Sequence, residues 1–402
     1  VGGAILWLQS DWYLQLQQER AGNLAGMQFS IERVEQPRRG QMRWHKVALY
    51  DYATGQLLAK AAKIDFHEVP RGLQLRATDA WLDEAIGQSA RSSVLQCLSQ
   101  SAASSGVWLS TPCLLWHCDD REFRLNDVQA GIEPGSDANQ AYFAFRPTES
   151  TDRGPWIRLI NSHKSHRIEQ IECQTYQYSL PCRWFAAFGI DLSGLGPAAE
   201  FGGHLTSTWV DDAWHTQAMG RLNNIDLARL MPPGSPHRLT GMAQLQTELT
   251  VPLRLRGNRL ERLSATITAG PGEISASLLD SAAQHLEMRY VRNQQRGLES
   301  GNYAYRQLLL RVLLEPQGVI IQGRCDANGA VMNDSAGAFV SQPPRVKTIA
   351  DLVAALSPPS SSMIPATADA QRLAGFLPAA PPSAGEPGRR FGARNPTGQA
   401  TK

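Results

Sequence analysis

The run Gly241-Met242-Ala243-Gln244-Leu245-Gln246-Thr247-Glu248-Leu249-Thr250-Val251-Pro252-Leu253-Arg254-Leu255 alternates between apolar and polar side chains. Its odd positions include Ala243, Leu245, Leu249, Val251, Leu253 and Leu255, and its even positions include Gln244, Gln246, Glu248, Thr250 and Arg254. Successive side chains of an extended chain point to opposite faces, so this period of two predicts a strand with one apolar and one polar face. At the rise of a strand the run would cover roughly 50 Å. Pro252 has no N–H to donate to a neighbour, which predicts an edge or a bulge there. Gly257-Asn258 marks a turn, and Leu263, Ala265, Ile267 and Ala269 then face away from Ser264, Thr266 and Thr268 on a returning strand.

The same signal recurs on both sides of this pair. Strands are expected at Phe29-Ser30-Ile31, over Trp44 to Asp51 and over Leu57 to Phe66, with Asp51-Tyr52-Ala53-Thr54-Gly55 as a turn. Leu73, Leu75 and Ala77 alternate with Gln74, Arg76 and Thr78, and Ala141, Phe143 and Phe145 alternate with Tyr142, Ala144 and Arg146. Leu308, Leu310, Val312 and Leu314 share a face, and Val319, Ile321 and Cys325 return after Pro316-Gln317-Gly318. Helical spacing is confined to Asp83–Ser101, Ile225–Leu230, Ser275–Leu286 and Thr348–Leu356, the last with Thr348 as N-cap and Pro358 as stop. These helices look like inserts, not the regular alternation of a parallel nucleotide-binding sheet. The reading is a mainly β fold: an elongated, largely antiparallel sheet with a few helical inserts. Its apolar face either closes into a core or curls into a groove.

Composition narrows the function classes. The 402 residues carry 39 basic and 37 acidic side chains, a net charge of +2, so there is no basic footprint for nucleic acid. The segment 358–402 holds five basic and two acidic residues, which leaves the rest of the chain at −1 (34 basic against 35 acidic). It also holds eight of the 24 prolines and lacks hydrophobic periodicity, so it reads as a mostly disordered tail. The opening Val1-Gly2-Gly3-Ala4-Ile5-Leu6-Trp7-Leu8 is apolar and uncharged, and Trp7, Trp12 and Tyr13 are side chains suited to a membrane–water boundary. Residues 1–22 therefore read as the outer end of an anchor helix, 23–345 as the β-rich body with inserts near 83–101 and 275–286, and 346–357 as a short helix.

Catalytic signatures do not emerge. The chain has no GxxxxGK[ST], HExxH or GxSxG pattern. His163 and His166 form an HxxH without further ligands at metal-site spacing, and Asp119-Asp120 and Asp211-Asp212 read as solvated turns. Cys97, Cys113, Cys118, Cys173, Cys182 and Cys325 include no CxxC pair and read as small buried hydrophobes, with disulfides open in an oxidising compartment. No cofactor or metal site is expected, and the chain reads as a non-enzyme.

From Gly26 to Ile64 the order of features is distinctive. Phe29-Ser30-Ile31-Glu32-Arg33-Val34 leads to Pro37-Arg38-Arg39-Gly40, then to a strand Trp44–Tyr50, the Asp51–Gly55 turn and Leu57-Leu58-Ala59-Lys60-Ala61-Ala62-Lys63-Ile64. This resembles the opening of bacterial AsmA-like proteins, and the stretch from Phe201-Gly202-Gly203-His204 to Ala269 is similar to that family's strand-turn-strand units. The likeness covers most of Val1–Gln342 loosely and departs in the chain's shortness and helical inserts. It implies a protein fixed to the inner membrane and facing the periplasm. Its apolar groove would shield membrane lipids and serve lipid transport or outer-membrane assembly, with envelope proteins as further partners. The family offers no catalytic residues to carry over. On this reading Leu245, Leu249, Val251, Leu253 and Leu255 form the candidate groove face. The alternative is a structural β-protein that binds other envelope proteins through sheet edges.

Overall fold

Twenty-one strands in one sheet follow from this patterning. The structure is a computed structural model that describes residues 15, 18–19, 28–52, 54–83, 106–118, 121–146, 153–165, 167–188, 192–231, 235–247, 253–256, 259–291 and 301–357. In chain order the first strands are β1 (Gln28–Ser30), β2 (Arg33–Arg38), β3 (Gln41–Tyr50), β4 (Leu57–Val69), β5 (Gly72–Thr78) and β6 (Ala80–Asp83). Next come β7 (Gly106–Cys118), β8 (Arg121–Glu133), β9 (Ala138–Arg146), β10 (Trp156–Ser162), β11 (Arg167–Gln174) and β12 (Leu180–Pro181). After these lie β13 (Glu200–Val210), β14 (Ala213–Asp226), β15 (Met242–Thr247), β16 (Leu253–Arg256) and β17 (Arg259–Ala269). The last are β18 (Gly272–Ser275), β19 (Asn302–Tyr305), β20 (Gln307–Glu315), β21 (Gly318–Gly323), β22 (Ala330–Asp334) and β23 (Gly337–Ser341). β18 and β19 form a separate two-stranded sheet.

The large sheet is a meander in which neighbours in sequence are neighbours in space. Tight turns make this possible. Asp211 and Asp212, at φ 50° and 58°, close the β13–β14 hairpin, since two left-handed residues match the twist of the strands they join. Asp51 Oδ1 accepts from Thr54 N at 2.7 Å and fixes the turn before β4. All pairings are antiparallel except those of β5 and β6 with β7. A parallel pairing needs a crossover connection. Residues 84–105 supply that connection. The helix expected over 83–101 lies outside the described residues apart from Asp83, which ends β6.

The long strand expected over 241–255 is two strands in one lane. β15 and β16 both sit between β14 and β17. On β14 the pairing moves back three residues, from Arg221 to Ala218, while the other strand advances seven, from Gln246 to Leu253. Four residues of this segment are therefore extra to the pairing with β14. Thr247 closes the near side: its hydroxyl accepts from Gly220 N at 2.7 Å and donates to Gly220 O at 3.1 Å. An even number of extra residues keeps the faces in phase, so Leu245 and Leu253 remain on one side.

Three helices follow their capping signals. α1 (Leu227–Leu230) starts at Asp226, whose side chain accepts from Ala228 N. α2 (Ala276–Leu286) starts at Ser275, whose side chain accepts from Leu278 N. α3 (Ile349–Leu356) has a full capping box between Thr348 and Asp351. Asp351 sits below the usual carboxylate range because the Thr348 N–H and hydroxyl both donate to it. Near the start, Gln15, Gln18 and Glu19 are helical, and no helix of the described residues is long and apolar enough to cross a membrane.

Candidate functional site

Paired residues of a sheet project to the same side. The register can therefore be followed from strand to strand. Met42 pairs with Phe66, Phe66 with Leu75, Leu75 with Leu109, Leu109 with Ala130 and Ala130 with Phe143. Phe143 continues to Ile157, Cys173, Leu205, Ala218 and Leu253. Beyond β16 the row passes Leu263, Leu314 and Val319. One unbroken row of apolar side chains thus runs from β3 to β21, on the order of 60 Å along the sheet at the usual strand spacing. The opposite face is polar at the same level: Arg43 pairs with Asp65 and Asp65 with Arg76, while Arg158 pairs with Glu172 and Glu172 with Thr206.

The row is not covered evenly. In its middle, Ile157, Cys173 and Leu205 are buried in a cluster capped by the segment after β12. There Cys182–Phe188 forms a 3-10 helix that lays Trp184 and Phe185 on the sheet. The Trp184 indole stacks on Trp116 at 4.2 Å and 4°, and Phe123 meets it edge-on at 5.5 Å. Phe185 meets Phe201 edge-on at 5.6 Å. Burial pushes the Cys173 and Cys182 thiols up to about 12, Cys182 with a smaller push from Glu200, which makes both poor nucleophiles. Cys113, Cys173, Cys182 and Cys325 all carry free thiols.

Towards the end of the row the helices take over. Leu314 and Val319 form a cluster with Leu253, Leu263 and the α3 residues Ile349, Leu352 and Val353. Six residues further along the strands, Ala243, Ala269 and Leu308 are covered by Leu278 and Leu279 of α2 and by Tyr305 of β19. α3 is held at both ends. Lys347 and Val319 exchange backbone hydrogen bonds of 2.7 and 2.9 Å, and the buried Lys347 ammonium lies 2.9 Å from Glu287. The Lys347 and Arg345 hydrogen bonds hold the Glu287 carboxyl below its usual range. At the far end the buried His237 Nε2 donates to Ser357 O at 2.8 Å.

The first part of the row differs. Met42, Phe66, Leu75, Leu109 and Ala130 are each only half-buried, and Val107 beside them is exposed. Among the described residues, the cluster at this end draws on β1–β4 and the short link around Ile31, whose carbonyl accepts from the helical Gln18 Nε2 at 3.2 Å. A related cluster of Ala141, Leu159 and Ile171 is built with Ile132, Ile168 and Trp214, all from the sheet itself.

The candidate groove residues divide accordingly. Leu245 packs against the cluster under α2, and Leu253 shares the cluster under α3. Both side chains are half-buried at the margin of these clusters. Leu255 pairs with Thr216 on β14 and with Leu260 on β17. Leu249 and Val251 lie outside the described residues. The uncovered side chains, Leu75 and Leu109, stand far from this run in sequence. Their signal was present as alternation in β5, but nothing in a strand pattern says which stretch a helix will cover. The capping segment was legible in hindsight from Leu180-Pro181-Cys182-Arg183-Trp184-Phe185, an apolar run that fails to alternate.

Other candidates have structural roles. His163 contacts Asn139 Oδ1 at 3.0 Å, His166 lies outside the described residues, and no group of three metal-ligating side chains occurs among those described. Near the start of the sheet Glu35 lies within 3.1 Å of His45, which lowers its pKa. Burial opposes ionisation of Asp65, but the Arg43 and Lys63 hydrogen bonds outweigh it and keep the carboxylate charged. Comparison of the chain with family models, curated proteins and solved structures finds no match. The likeness to AsmA-like proteins therefore rests on strand patterning.

Proposed function

We propose that this protein is a membrane-anchored envelope protein that handles lipid without catalysis, using the uncovered part of its apolar face as a trough for acyl chains. The observation that carries the reading is the row from Met42 to Phe143. Its side chains are apolar and in register, yet only half-buried over the span from β3 to β8. A contiguous apolar surface of this kind is costly in water and marks a binding face. An acyl chain needs only such a surface, since it makes no directional bonds. Anchorage at the inner membrane with the body in the periplasm belongs to the same proposal and rests on the apolar opening Val1–Leu8 and on the AsmA-like pattern.

Protein binding by edge-strand addition fits less well. The outer strand β2 carries Arg33, Glu35, Pro37 and Arg38, and charge and proline on an edge discourage pairing with another chain. The test is to purify the full chain from membranes and measure bound lipid by mass spectrometry, alongside a melting curve. Leu109→Glu is expected to stay folded and lose most of its lipid. Wild-type protein that carries no lipid would reject the proposal.

A further inference from the structure

The polar face of the sheet has a notch. Along one lane-to-lane row on that side, Met242 of β15 is followed by Gly270 just past β17, then by Gln307 of β20 and Asn333 of β22. Gln244 and its register partner Thr268 form the next level. Every position but one in this patch carries a side chain, and Gly270 leaves bare backbone as the floor. Its conformation makes the vacancy permanent. Gly270 has φ +132°, and a Cβ there would stand 2.4 Å from Arg306 O, so no other residue fits without strain. The result is a hollow of about 560 Å³, within the range that holds small molecules.

The walls define the ligand chemistry. Gln244, Gln307 and Asn333 are primary amides, each able both to donate and to accept, and Thr268 adds a hydroxyl. Asn333 Nδ2 reaches Gln307 Oε1 at 3.5 Å, while the Asn333 Oδ1 is buried beneath the surface. The exposed Met242 thioether supplies one apolar wall. Arg306 and Asp334 stand at the margin with opposite charges, so the hollow as a whole favours neither anion nor cation. A ring bearing hydroxyls that donate and accept on its edges, with a C–H face for Met242, matches this set. We infer that the hollow is a binding site for a single neutral sugar residue, an N-acetylated hexose being the best fit because its acetamide can pair with the wall amides. The site lies on the face opposite the lipid trough and is independent of it.

The experiment uses the full chain in detergent and N-acetylglucosamine as the probe, followed by saturation-transfer NMR and titration. Saturable binding in the millimolar range is expected, as suits a few neutral hydrogen bonds. Gln244→Ala and Asn333→Ala should each weaken it by about fivefold, while Gln129→Ala, on the polar face of β8, should leave it unchanged. Melting curves check that the variants are folded; Gln244 is exposed, so its variant keeps the reading available if Asn333→Ala unfolds. Absence of saturable binding for N-acetylglucosamine, glucose and galactose would overturn the inference. So would equal loss in Gln129→Ala. Binding of inorganic phosphate in place of sugar, abolished by Arg306→Gln, would overturn it in favour of an anion site.

Discussion

Leu109 and Leu314 are the same residue type in one apolar row of one sheet, yet Leu314 is 3% exposed and Leu109 is half-buried. Their strands do not explain the difference, since both pair on two sides. What differs is the layer above. Leu314 lies beneath α3, which is tied to the sheet through Lys347 and Val319. Leu109 has only its sheet neighbours among the described residues. An alternating strand states which side chains share a face. Whether that face becomes a core or a trough is set by segments elsewhere in the chain: here Cys182–Phe188, α2 and α3. The covered part supplies stability, at about 1.5–3 kcal/mol for each fully buried large aliphatic side chain. The half-buried part is the one we propose for lipid binding.

The contrast can be broken most forcefully by placing a charge in each part. Ile157→Asp, at a position 4% exposed beneath the Trp184 cap, would bury an unpaired carboxylate. A cost of several kcal/mol is expected, enough to unfold a domain of ordinary stability. Leu109→Asp can hydrate its carboxylate, and the melting temperature should fall by only a few degrees. Equal losses in the two variants, read by circular dichroism, would show that the two parts are covered alike.

Removing the cap itself sharpens the comparison. Trp184→Ala deletes the ring stacked on Trp116 and should cost about 3–5 kcal/mol. Trp184→Phe keeps an aromatic surface and should cost distinctly less. If the cap marks the end of the trough, folded Trp184→Ala protein at low temperature will carry more lipid per chain than wild type. Unchanged lipid would separate the cap from the trough.

A smaller effect is expected at α3. Thr348→Ala removes one half of the capping box and should cost about 1 kcal/mol near neutral pH. Asp351 has its pKa lowered on folding, so its contribution is present above the ordinary value of 3.8 and is lost as pH falls through the folded value. The gap between wild type and Thr348→Ala should therefore narrow in acid. A gap that stays constant on acidification would mean that the Asp351 charge plays no part.

Much of this architecture was legible beforehand, and the limits have physical causes. Alternation gave β3, β4, β5, β9, β17, β20 and β21, because a half-buried strand must alternate. Helical spacing gave α2 and α3, and at Thr348 the cap was legible too, because a side-chain oxygen there satisfies an orphan backbone N–H group. The single long strand over Gly241–Leu255 proved to be two, since an insertion of four residues preserves the period and leaves no trace in it. Pro252 was the one local sign of an interruption, and it lies outside the described residues. The uncovered stretch around Leu75 and Leu109 was not legible as such. Its strands look like those beneath α3, and covering is a long-range property of the chain.

The central claim is that lipid sits on the uncovered part of the row and not on the covered part. Photo-crosslinking in cells tests it most directly, with a photoreactive amino acid placed at Leu109 in one variant and at Leu314 in another. Adducts are then read by mass spectrometry of the purified chain. The account predicts phospholipid adducts at Leu109, and at Leu314 only crosslinks within the chain to α3. Lipid adducts at Leu314 as abundant as at Leu109, or none at Leu109 in a folded variant, would contradict it.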